Sequence, residues 1–195
     1  MRFDSQKLNW TLSEFDVSLR AGSCDIFCVQ RHSSAFAFGL LESGYQQGDK
    51  LVLCADQASA AEQLVAQMGA IKAQVSVVTY HEKDSADALD HALGSTNAKG
   101  LIFAPSAAMN DQSTRGDAVN RLVPELATSY FGDELNCAKY PHLKHIVQTE
   151  WKAIRGVNLF KDVSFYASPQ FAPRQIPTQN ADDVALICMR DGKAT

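Results

Sequence analysis

Apolar positions along this chain follow two alternating periods. Ala60 to Lys72 places Leu64, Val65, Met68 and Ile71 at helical spacing, which predicts an α-helix with that face inward. Val75 to Tyr80 is a short β-branched run and predicts a strand. Ser85 to Leu93 predicts a short helix, with Ala86, Leu89, Ala92 and Leu93 inward and Gly94 as its stop. Lys50 to Ala55, Gly100 to Ala104 and His145 to Thr149 predict further strands. Gly48-Asp49 turns into the first of these and Pro105 ends the second. Ala118 to Tyr130 predicts a helix carrying Val119, Leu122, Val123 and Leu126. Pro124 must kink or restart it, because proline lacks the N–H that the helix ladder needs.

The flanks are less regular. Asn9 to Asp16 predicts an opening helix, with Thr11 as N-cap and Glu14 as its capping-box partner. Residues 21–33 interrupt the pattern with Gly22, Ser23 and an apolar patch from Ile26 to Val29. Ser34 to Glu42 predicts a second helix that stops at Ser43-Gly44. After Thr149 the period is lost. Pro169, Pro173 and Pro177 among Gln170, Gln175, Thr178, Gln179 and Asn180 read as an extended surface connector. Val184 to Met189 predicts a last strand that rejoins the sheet. Short strands alternating with helices predict an α/β fold, a mostly parallel sheet with helices on both faces. The expected organisation is residues 1–149 as helical entry plus β/α domain, and 150–195 as connector and final strand of that domain.

Composition narrows the function. Of the 195 residues, 46% are apolar, enough for a core, and 21% are charged, with a net charge of −4 and the two signs interspersed. Without a basic run there is nothing to neutralise a phosphate backbone, so nucleic acid is not an expected partner. No apolar run approaches the roughly 18 residues of a membrane span. Met1 to Ser5 carries neither a signal-peptide core nor a transit-peptide pattern. The five cysteines (Cys24, Cys28, Cys54, Cys137, Cys188) are an odd set, and Cys54 and Cys188 lie in apolar runs, which points to a reducing compartment. Cys24 and Cys28 share a helical face and His32 could add a third ligand, but no fourth follows, so no metal site is expected.

Catalytic signatures are absent. There is no G-x-S-x-G elbow, no G-x-G-x-x-G and no G-x-x-x-x-G-K-[ST]. His91 reads as solvated, and His142 and His145 as structural residues at a strand start. The aromatics Tyr130, Phe131, Tyr140, Phe160, Phe165, Tyr166 and Phe171 crowd the second half, and an apolar surface there would need a protein partner.

In combination, six segments carry a family resemblance. Trp10-Thr11-Leu12-Ser13-Glu14-Phe15-Asp16 is similar to a W-T-x-x-E-x-D opening helix. Gly39 to Gly44 with Gly48-Asp49-Lys50-Leu51 matches a G-L-x-x-x-G-x-x-x-G-D turn. Gln67-Met68-Gly69-Ala70-Ile71-Lys72-Ala73 matches an L-G-A-x-K-A helix end. Asp90 to Phe103 resembles L-x-x-S-x-A-K-x-L-I, with Thr96 at the serine position, Pro141 to Val147 follows P-x-L-K-H-I-V, and Asp182 to Ile187 reads D-D-V-A-L-I. In this order they resemble the N-terminal part of adenylate-forming enzymes, the AMP-binding or acyl-CoA synthetase group, with residues 21–33 as an insertion. The resemblance implies the fold of that group's N-terminal subdomain.

It also implies where the chemistry belongs. In the family the D-D-V-A-L-I strand leads into a loop of the form T-S-G-T-T-G-x-P-K-G, whose N–H groups, hydroxyls and lysine hold ATP phosphates. Here Arg190-Asp191-Gly192-Lys193-Ala194-Thr195 follows. Gly192 falls on a family glycine, and Lys193 invites a phosphate reading. Asp191 sets a carboxylate where phosphate oxygens would lie, and the hydroxyl residues beside Gly192 are missing. The magnesium, adenine and ribose motifs and the catalytic lysine find no match. The expectation is no catalytic residue, no cofactor, and only a loop remnant at Gly192 and Lys193. The expected function is an inactive acyl-CoA-synthetase-like accessory or scaffolding subunit among other protein subunits, placed by resemblance in the mitochondrion. The alternative is a split or truncated fatty-acyl-CoA ligase needing a second chain. A regulator retaining acyl or CoA affinity is a third reading.

Overall fold

The computed structural model describes residues 26–54, 60–80, 85–110, 112–130, 132–164, 177, 184–190 and 193–194. The expected opening helix at Asn9 to Asp16 lies outside them, as do Cys24 and most of the proline segment. The elements in order are α1 (Ile26–Glu42), β1 (Lys50–Leu53), α2 (Ala60–Lys72), β2 (Ser76–Tyr80), α3 (Ala86–Thr96), β3 (Gly100–Phe103) and α4 (Arg115–Leu122). A 3-10 turn (Pro124–Ala127), β4 (His145–Gln148), β5 (Asn158–Leu159), α5 (Phe160–Val163), β6 (Leu186–Arg190) and β7 (Lys193–Ala194) follow.

One sheet holds all the described strands in the order β5-β4-β3-β1-β2-β6-β7. Every neighbouring pair is parallel except β6 and β7. This is the α/β fold that the alternation of elements predicts. The period of two sorts side chains between two cores. Leu51, Leu53, Val77, Ile102 and Val147 face α1 and α2. Val52, Cys54, Val78, Leu101, Phe103 and Ile146 face α3 and α4. Strands buried on both sides must be apolar at nearly every position, so they read as continuous runs.

Helices α1 and α2 pack closely because α2 turns small residues toward α1 and the sheet. Its buried positions are Val65, Ala66, Gly69 and Ala70. A Cβ on Gly69 would lie 2.8 Å from the Ser33 carbonyl oxygen and 2.9 Å from Phe36 Cδ1. The expected inward face therefore needs correction, since Leu64 and Met68 are exposed. Close helix approach selected alanine and glycine over the larger residues. The Lys72 ammonium completes the contact, donating to the Gln30 carbonyl (3.0 Å), Ser33 Oγ (2.7 Å) and Ser34 Oγ (2.9 Å).

Several boundaries shift for local reasons. The interruption expected over residues 21–33 does not extend past residue 25, because 26–33 form the first turns of α1. No glycine or proline lies in that stretch to stop a helix. Helix α3 runs through Gly94 and ends at Asn97, which takes the left-handed conformation at φ 53°. Helix α4 starts earlier than expected, because Thr114 and Asp117 form a capping box. Pro124 acts as expected, ending the α-helix and opening a 3-10 turn. Strand β5 and the single turn α5 arise inside the expected connector, where Phe160 stacks on Phe36 with ring centroids 4.8 Å apart.

Candidate functional site

Two places can carry chemistry in this architecture. The first is the corner after β6, where the resemblance puts a phosphate loop. Strand β6 lies beside β2 with Ile187 opposite Val78. It then pairs with β7, Met189 opposite Ala194 and Arg190 opposite Lys193. Only Asp191 and Gly192 separate the paired positions, and these two lie outside the described residues. Asp-Gly is the dipeptide that two-residue hairpins favour. The Lys193 backbone is engaged in the pair with Arg190, so that position continues the sheet. A phosphate cradle needs several consecutive N–H groups turned inward on a wider loop.

The second place is the carboxyl edge of the sheet. Strand β1 sits between β2 and β3, and the chain leaves β1 and β3 toward opposite faces, the topological switch at which open α/β sheets hold ligands. After β3, Ser106 donates both its N–H (2.7 Å) and its hydroxyl (2.6 Å) to Glu150 Oε1, which follows β4. Next to this pair a small pocket of about 20 Å³ is lined by Glu62, Thr149, Glu150, Trp151, Leu159, Phe160 and Lys161. That volume holds about one water molecule. Among the described residues, Thr149 Oγ1 is buried with no hydrogen-bond partner, and so is Oε1 of the fully buried Gln148.

The larger cleft lies elsewhere. About 490 Å³ opens beside the end of α1 and the starts of β4 and β5, lined by Glu42, Ser43, Glu134, His145, Asn158 and Asp162 among others. Three carboxylates on its wall repel an anionic ligand. His145 places Nε2 3.2 Å from the Ser43 carbonyl oxygen. Burial lowers its pKa, opposed by that hydrogen bond and by Glu134. Its role is to hold the end of α1 against β4, the structural role expected at a strand start.

The other singled-out residues stay apart. His32 is 1% exposed on α1, and its pKa falls to about 4 through burial and then the nearby Arg31 charge. His91 is exposed on α3, as expected. Cys54 and Cys137 are buried in the core. Among the described residues no group of three His, Cys, Asp or Glu side chains is placed to hold a metal ion. No described helix is long and apolar enough to cross a membrane. Of the crowded aromatics, Tyr140 and Phe160 are buried in the core and Tyr130 is 67% exposed. The sequence reading missed the Ser106–Glu150 pair and the Lys72 tie. Both join residues far apart in the chain, and no local period encodes them.

Comparison with known proteins gives the family. A model described as AMP-binding enzyme matches residues 28–189. No curated protein matches the chain. Among solved structures, a protein described as a long-chain-fatty-acid CoA ligase from Rhodopseudomonas palustris CGA009 is similar at TM-score 0.63 and 14% identity. That match covers 96% of this chain and 44% of the other. MbtA from Mycobacterium smegmatis is similar at TM-score 0.58 and 18% identity, covering 92% and 31%. The anthranilate CoA ligase AuaEII, solved with anthranoyl-AMP, is similar at TM-score 0.55 and 16% identity, covering 82% and 25%. The chain thus spans from a quarter to less than half the length of these proteins, and at such identities the likeness is one of fold. With the family model covering most of its length, this chain belongs to the AMP-binding enzyme family, as part of its N-terminal region.

Proposed function

We propose that this chain carries the family fold without an adenylation site and works as an accessory or scaffolding subunit of a larger protein assembly. The observation that supports this reading is the pairing of Arg190 with Lys193, which leaves two residues where the family loop has about ten. The nearby pocket has room for about one water, and the larger cleft is walled by carboxylates. Neither suits a triphosphate. Under this reading the chain binds other protein subunits, in a reducing compartment, with the mitochondrion as the site suggested by the family resemblance. The test is pyrophosphate release from MgATP and palmitate by the purified chain, together with mass spectrometry of copurifying polypeptides. The expected outcome is no acyl-dependent release and a reproducible set of partners. Release by the lone chain defeats the proposal.

A second reading is a portion of a fatty-acyl-CoA ligase whose site is completed by further polypeptide. The retained doubly wound sheet and the acid–CoA ligases among its structural neighbours favour it. Restored release on adding a polypeptide with the magnesium and lysine motifs would select it over the first.

A further inference from the structure

We draw no further inference here: the strongest candidate, the cleft of about 490 Å³ beside the end of α1 and the starts of β4 and β5, rests on the acidic cluster of Glu42, Glu134 and Asp162 alone, and nothing else in the structure points to what it would hold.

Discussion

The two edges of the sheet end differently. At the β5 edge the chain turns directly into α5, and Phe160, 3% exposed, stacks on Phe36 of α1. At the β6 edge, Val184 and Leu186 stand in solvent and the last strand is two residues long. Among the described residues, a packed turn follows the first edge, and only β7 lies against the second. Most of both cores lies, among the described residues, between β5 and β2, and beyond β2 Met189 joins one core with Ile187 packed against it.

Breaking the closed part should cost most. At Gly100 a Cβ would lie 2.0 Å from Tyr45 Oη and 2.8 Å from Leu51 Cδ1, both buried. Gly100→Val should lose about 4 kcal/mol or prevent folding, read by urea denaturation. Phe36→Ala removes the ring that joins α1 to α5 and should cost about 3–5 kcal/mol by the same measurement.

Acid should act on the same side. The folded chain holds the His32 pKa near 4 against 6.5, first through burial and then through the Arg31 charge. The unfolded chain takes up that proton first, so stability falls as pH drops from 6.5 toward 4. The expected loss is on the order of 2 kcal/mol. His145, also lowered by burial, adds in the same direction. Denaturation midpoints across that range check this, and His32→Gln should flatten the fall.

Smaller effects sharpen the contrast. Thr114→Ala removes the cap of α4 and should cost about 1 kcal/mol. Leu186→Ser, at the open edge, should change stability by no more than about 0.5 kcal/mol, since half of that side chain is already in water. A large loss at Leu186 would mean that the edge is covered and the comparison fails.

The same division governs what the sequence discloses. β1, β3 and α2 are legible because burial on two faces, or on one stripe, imposes a period on the residues. The inward face of α2 was misjudged because size, as well as apolarity, decides a close helix contact at Gly69. Strands β5 and β7 were not legible, since a two-residue strand carries no period and exists only through its neighbours. The candidate site was legible in part. The loss of loop hydroxyls around Gly192 shows in the letters, whereas the pairing of Arg190 with Lys193 is a tertiary fact. The Ser106–Glu150 contact spans 44 residues and leaves no local trace.

The central claim is that the corner between β6 and β7 cannot hold a triphosphate. Equilibrium titration of the full chain with MgATP, followed by amide chemical shifts of residues 186–194, tests it most directly. The account predicts no saturable shift up to millimolar nucleotide. A saturable shift centred on Arg190 to Lys193 would contradict it.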